Sequence, residues 1–307
     1  MDVADDVVPL ESVVHGPSPF VVSHTDQTNV SGHTGRVSGN IFDISDPLDP
    51  RLADYRHLRD ADIRRSVEGD EFLIAEGVAV VQRLAASSLE IRSVLLTPKR
   101  WESMGASLSH LNCPIYVAEP EIVAGTAGFN LHRGVIASAR RPRPLSLDAV
   151  FDRPPLNGTR HRLAVLEGVN DHENLGAIAR AARAFGIDAL VLNSTCADPY
   201  YRRAVRVSMG EILFLPVVRA EVHEVVDACA VRGGQSWALT PRSDAEDIMS
   251  IGSGSFGPLA LLFGAEGPGL SDASLQAATR CVRIPIVSDV DSLNVGHATA
   301  VAFAITA

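Results

Sequence analysis

The chain ends on RIPIVSDVDSLNVGHATAVAFAITA, Arg283 to Ala307, and the reading of this stretch decides the fold. Ile284, Pro285 and Ile286 read as the end of a buried strand. A polar loop follows from Ser288 to Ser292, then a helix of mostly small residues from Leu293 onward. Ser292 can cap that helix by accepting a first-turn N–H. Ala298, Ala300, Ala302 and Ala304 let other backbone approach closely. An ordinary surface helix needs one apolar face; this one is apolar nearly all round, which predicts burial. Taken alone, the stretch is a C-terminal core helix.

Two earlier stretches add to it. LEGVNDHENLGAIARAARAFGIDALVL, Leu166 to Leu192, reads as strand end, turn, helix and strand. On its helix Leu175, Ile178, Ala179, Ala182 and Phe185 form the apolar face, with Arg180 pointing nearly opposite. Asn174 at the helix start suits an N-cap. LALLFGAEGPGLS, Leu259 to Ser271, is a strand running into a glycine-rich turn, where Gly264, Gly267 and Gly269 permit close backbone approach to a ligand. The spacing is not G-x-G-x-x-G, and no such fingerprint follows the first strand, so a nucleotide-dependent oxidoreductase lacks its phosphate loop here.

In order and spacing these three stretches resemble the motifs of the SpoU/TrmH family of RNA ribose 2′-O-methyltransferases, over residues 50 to 307 and most strongly in the last half. The resemblance implies a SPOUT-like parallel-sheet domain with a deep trefoil knot, against the rule that chains are unknotted. It implies that Gly264, Ile284 and Leu293 contact S-adenosylmethionine, largely through backbone. It places Asn174, Arg180, Glu266, Ser292 and Asn294 at the reaction centre. Arg180 matches the family's catalytic arginine; because a guanidinium with a pKa above ~12 is a poor base, anchoring phosphate and stabilising 2′-oxyanion charge are its firm roles. Gly296 and His297 depart from the small or aliphatic residues usual at their positions. A homodimer is implied as well, with the C-terminal helix packed on a partner.

Before the catalytic segment the pattern alternates helix and strand from residue 46 to 139, which makes a small α/β/α domain. It resembles the L30e-like substrate-binding domain found ahead of many SpoU-type domains, and Arg64, Arg65 and Glu76 sit where such a domain would meet RNA. Residues 1–45, mixing Gly, Ser, Thr, His and Asp without a period, read as a disordered extension. Residues 140–160 read as a linker whose prolines (Pro142, Pro144, Pro154 and Pro155) exclude regular helix. Its arginines, with Arg162 beyond them, form the one clearly basic stretch, fit for a hinge or for a phosphate-neutralising strip. Residues 161–307 repeat strand and helix as a parallel sheet, with VRIPI as the last strand and ligands expected beyond the carboxyl ends.

Bulk properties set limits. Net charge is −10, and Lys99 is the sole lysine. Much of the acidic excess lies in the first fifty residues, so the charge weakens an RNA reading without defeating it. No apolar run approaches the ~20 residues of a membrane helix, and no secretion signal opens the chain. Cys113, Cys196, Cys229 and Cys281 lack metal spacing and favour reduced thiols in a cytosol. The expectation is therefore a cytoplasmic methyltransferase acting on RNA, ribosomal more than transfer RNA, with no metal and no membrane contact. The competing class is a catalytically inactive RNA-binding protein on the same scaffold.

Overall fold

The computed structural model describes residues 40–58, 71–131, 133–251, 256–287 and 289–307. Arg64 and Arg65, residues 1–39 of the expected extension, and Ser288 lie outside that set.

The first sheet joins β1 (Ile41–Ile44), β2 (Phe72–Glu76), β3 (Ile91–Leu96), β4 (Ile115–Ala118) and β5 (Val135–Arg140) in the order β1-β4-β3-β5-β2. Strand β5 runs antiparallel to β2 and β3, and the other pairings are parallel. Helices α1 (Val78–Ala86), α2 (Pro98–Leu108) and α3 (Pro120–Ala127) connect the strands. Proline stands in the first turn of α2 and of α3, where its missing N–H has no helical partner to lose. Strand β1 begins inside the stretch read as extension. Ile41 to Ile44 pair in parallel with Ile115 to Ala118, and Ile44 is buried, so four residues without a periodic signal are fixed by the ladder.

Between the sheets the segment expected to exclude helix contains one, α4 (Leu147–Phe151). The prolines flank it rather than interrupt it, and Ser146 Oγ caps it by accepting from Ala149 N at 3.1 Å. The basic stretch is an open cationic face only in part, at the exposed Arg143 and Arg153. Arg140 pairs with Glu90, Arg141 pairs with Asp198, and Arg162 is buried.

The second sheet is wholly parallel. It contains β6 (Arg162–Glu167), β7 (Ala189–Leu192), β8 (Val217–Arg219), β9 (Gln235–Leu239), β10 (Glu246–Asp247), β11 (Leu259–Gly264) and β12 (Arg280–Arg283), in the order β10-β12-β9-β11-β6-β7-β8. The connecting helices are α5 (His172–Ala184), α6 (Arg202–Val207), α7 (Val222–Ala230) and α8 (Asp272–Ala277); α9 (Val295–Ile305) ends the fold. Alternate residues of the central strands serve opposite faces. Ala164, Leu166, Leu261 and Phe263 join α5 and α9 in one apolar cluster, while Leu163, Val165, Ala260 and Leu262 join α7 in another. The first cluster continues into the five-stranded sheet through Leu73, Ala75, Val94 and Ala137, so one core runs beneath both sheets.

The last strand is shorter than VRIPI suggests. It stops at Arg283, because Pro285 brings no N–H to a ladder and β10 supplies partners only as far as Arg283. Helix α9 also differs from its reading. His297, Val301 and Ala304 are exposed along one side, so within this chain a helix apolar nearly all round has one face without cover. Among the described residues, no helix is long and apolar enough to cross a membrane.

Candidate active site

Helices α5 and α9 lie side by side and are fastened at both ends. At their amino ends, Asn294 Nδ2 donates to Asn174 Oδ1 at 2.9 Å. At their carboxyl ends, the buried Arg162 guanidinium donates to Phe303 O at 3.1 Å and to Phe185 O. Burial lowers the pKa of Arg162, yet carbonyls at two helix C-termini are favourable surroundings for a cation. Small residues permit the approach: a Cβ on Gly296 would come 3.4 Å from Ala177 Cβ. The unusual Gly296 is thus buried against α5, and its neighbour His297 faces outward.

Asn294, rather than Ser292, caps α9. Its Oδ1 accepts from Gly296 N at 2.9 Å and from His297 N at 3.3 Å. Those two donors fix the amide's orientation, since only oxygen can accept them. Nδ2 must then face acceptors, and it bridges Asn174 Oδ1 and Glu266 Oε1, the latter at 2.5 Å. Asn174 in turn is not the cap of α5. That place is held by Asp171, which accepts from Glu173 N at 2.6 Å. Freed from capping, Asn174 keeps its own amide donor unpaired among the described residues.

Beneath this cluster lies a cleft of about 450 Å³ at the carboxyl ends of β9, β11 and β12. Leu239, Pro241, Ile284, Ile286 and Leu293 supply apolar walls, and the Gly264–Gly269 turn forms the floor. The turn is closed by Gly269 N donating to Ala265 O at 3.0 Å. It is too tight for a side chain: a Cβ on Gly264 would lie 2.0 Å from the Gly269 carbonyl carbon. Gly267 and Gly269 hold φ of +88° and +71°, conformations that favour glycine. Glu167 secures the turn from β6, accepting from Ser271 N at 2.9 Å, Ser271 Oγ at 2.8 Å and Ser274 Oγ at 3.0 Å. Sequence reasoning passed over Glu167; a carboxylate ending an otherwise apolar strand, just before a glycine turn, was the available signal.

The expected residues are therefore divided. Asn174, Glu266 and Asn294 form one hydrogen-bonded cluster, and Glu266, Ser292, Asn294, Gly264, Ile284 and Leu293 line the cleft. Arg180 does not line it; the side chain is exposed further along α5. No cysteine lines the cleft among the described residues. Burial raises the pKa of Cys113 and Cys196 and pushes that of Cys229 up to about 12, which keeps them protonated.

Residues 161–304 match the SpoU rRNA Methylase family. A Mycobacterium bovis protein named as an uncharacterized tRNA/rRNA methyltransferase is 43% identical over 268 residues, covering 86% of this chain and 91% of the relative. The 23S rRNA (guanosine-2′-O-)-methyltransferase RlmB of Ralstonia nicotianae is 31% identical, covering 60% of this chain and 72% of that protein. The crystal structure of an AdoMet-bound rRNA methyltransferase from Sinorhizobium meliloti shares the fold, with a TM-score of 0.72 at 23% identity, over 87% of this chain and 98% of the other. A parallel sheet with a glycine-floored cleft and an amide–carboxylate cluster at its mouth defines an α/β enzyme scaffold for a small ligand. The chain belongs to the SpoU family of RNA methyltransferases.

Proposed function

We propose that this protein transfers a methyl group from S-adenosylmethionine to a ribose 2′-hydroxyl of RNA, ribosomal RNA in preference to transfer RNA. The observation that carries the reading is the Asn174–Asn294–Glu266 cluster standing over the Gly264–Gly269 turn. The cleft suits the cofactor: its walls are apolar, and the turn that floors it is held tight because a Cβ on Gly264 would collide with the Gly269–Leu270 backbone, which keeps Gly264 main chain on the cleft lining. Gly264, Ile284 and Leu293 would hold S-adenosylmethionine, which supplies an electrophilic sulfonium methyl.

Transfer is an in-line displacement, so alignment of the acceptor hydroxyl contributes much of the rate. Asn174 presents an unpaired amide donor to the ribose and is held in place by Asn294. Glu266 carries a carboxylate at the mouth of the cleft, with one oxygen anchored by Asn294 and the other available to a ligand. Ser292 adds a hydroxyl on the same rim. Arg180 anchors the phosphate beside the target ribose and stabilises the charge that develops on the 2′-oxygen.

In this reading Arg180 serves the cleft of a second chain. Its distance along α5 from Asn174, and the uncovered His297–Val301–Ala304 side of α9, support a homodimer in which α9 packs on its partner. Light scattering at working concentration should give twice the chain mass; a monomer would remove this part. We propose further that the chain after β12 is threaded as a trefoil knot. In this reading the unit of the first sheet, from β1 to residue 139, forms an L30e-like domain that grips the substrate, and the enzyme works in the cytoplasm.

The reading is tested by incubating RNA with protein and S-adenosylmethionine, digesting to nucleosides and measuring their masses. A 2′-O-methylnucleoside is expected. A base-methylated nucleoside would refute the acceptor, and no product together with no cofactor binding in calorimetry would favour the inactive RNA-binding alternative.

A further inference from the structure

Resting on the RNA reading, a second surface extends it. Because β5 runs antiparallel to β2 and β3, the carboxyl ends of β2 and β3 and the start of β5 share one edge of the first sheet. Arginines collect there. Arg100 Nε, in the first turn of α2, donates to Arg133 O at 2.8 Å. The Arg133 side chain lies across Gly77, whose added Cβ would meet Arg133 Cδ at 2.7 Å. Beside Gly77 the buried carboxylate of Glu76 receives Arg202 at 2.5 Å and Arg206 at 3.8 Å, both from α6. From the same helix Arg203 reaches Glu173 at 2.9 Å, and Glu173 is the residue before Asn174. The contacts thus run unbroken from the sheet edge to the reaction cluster.

The sign of the charge along this path opposes that of the whole molecule. In a chain of net charge −10, Arg100, Arg133, Arg202, Arg203 and Arg206 are offset, among the described residues, by ion pairs with Glu76 and Glu173 alone. Arg133 is exposed with no carboxylate partner among those residues. At the end of the path, where α6 and α5 begin, Tyr201 and His172 bring their rings to 4.5 Å between centroids, and both are half-buried. Surplus guanidinium fits a phosphate backbone, and an aromatic pair fits the face of a base.

We propose that this surface is a docking track for an unpaired RNA strand. Phosphates lie on Arg100, Arg133, Arg206 and Arg203, and a base neighbouring the target nucleotide stacks on the Tyr201–His172 pair. The target ribose is thereby left at Asn174. An unpaired strand is the occupant because a base must be splayed to stack on protein, whereas an A-form duplex keeps its bases stacked on one another.

The test uses the full-length protein and a fluorescein-labelled 20-nucleotide RNA of mixed sequence, single-stranded or annealed to its complement. Anisotropy is followed across a salt series. Arg100→Ala/Arg133→Ala/Arg206→Ala leaves Arg202 on Glu76 and should flatten the single-strand slope of log K against log salt by about 2, from ~0.7 per phosphate contact. Tyr201→Ala should weaken single-strand binding about tenfold with the slope unchanged, since stacking is uncharged. Arg232→Ala, whose partners are Asp148 and the Phe151 ring, should bind as wild type. Should the triple variant melt early, Arg133→Ala alone must flatten the slope by roughly one contact's share. Unchanged affinity and slope in these variants would overturn the track, as would an equal loss on duplex RNA. Displacement of the strand by polyglutamate, equally from wild type and Tyr201→Ala, would mark a surface for acidic proteins and overturn it too. Calorimetry with S-adenosylmethionine and methyl transfer by the wild type keep the two readings apart: their failure removes the enzyme reading, whereas their success with unaltered RNA binding by the variants removes only the track.

Discussion

Two side chains six residues apart on α5 are in opposite circumstances. Asn174 is tied to Asn294 and through it to Glu266, with the cap of α9 and the floor of the cleft as supports. Arg180 stands exposed, away from the cleft. Groups that set the direction of a displacement must be rigid, and this chain makes them rigid by recruiting helix caps and a glycine turn. On the proposed reading Arg180 meets substrate phosphate and needs no such support within its own chain. The difference teaches that this chain holds its cleft cluster rigid by itself, whereas on the proposed reading its phosphate-binding arginine serves a partner's cleft.

The largest effect should come from the supported side. Gly264→Ala places a methyl group where backbone already stands, so the turn must open or shift. Calorimetry should find S-adenosylmethionine binding abolished and the melting temperature lowered. Unimpaired binding would mean that the floor is not the cofactor's. Next, Arg180→Ala should keep fold and cofactor affinity yet lose about 10²–10³ in turnover at saturating donor, the size seen when an oxyanion donor is removed. Arg180→Lys should not rescue it, because an ammonium lacks the planar fork. Near-normal turnover would return Arg180 to a solvated face and collapse the contrast.

Asn294→Ser sharpens the other half of the comparison. Serine can still cap α9, so thermal stability should hold, while the amide that bridges Asn174 and Glu266 is gone. Turnover should fall about 10- to 100-fold, as for a lost hydrogen bond to a charged group. A variant that melts early but turns over normally would make Asn294 a cap and nothing more. Smallest is Arg183→Ala. That guanidinium lies over Phe214 at 5.7 Å and 3.8 Å from Glu211, so its removal should cost about 1 kcal/mol of stability in a thermal melt. Turnover should stay within about twofold, since nothing ties Arg183 to the cleft and only transition-state contacts change rate.

Much of this was legible in the residues themselves. The continuous apolar run LALLFG marks a strand buried on both faces and the periodic apolar stripe of α5 marks a helix, and six of the expected site residues, Gly264, Glu266, Ile284, Ser292, Leu293 and Asn294, line one cleft in the structure. What escaped depends on partners distant in sequence. Strand β1 has no period of its own and exists by pairing with β4. Helix α4 hides between prolines because five residues carry too little pattern. The caps went to Asp171 and Asn294, rather than Asn174 and Ser292, because several oxygen-bearing side chains stood within one turn and only the fold chose among them. Arg162 looked like linker charge until two helix C-termini closed over it.

The account stands or falls on whether Arg180 of one chain serves the cleft of another. The direct measurement mixes two impaired variants, Arg180→Ala and Asn294→Ser, under conditions that exchange subunits, and follows methyl transfer to RNA. If the arginine acts across the dimer, every mixed dimer regains one intact site, and random pairing should restore about a quarter of wild-type activity. If it acts within its own chain, every site in the mixture keeps one defect. Activity no greater than the mean of the two separate variants, in a sample shown to have exchanged, would contradict the account.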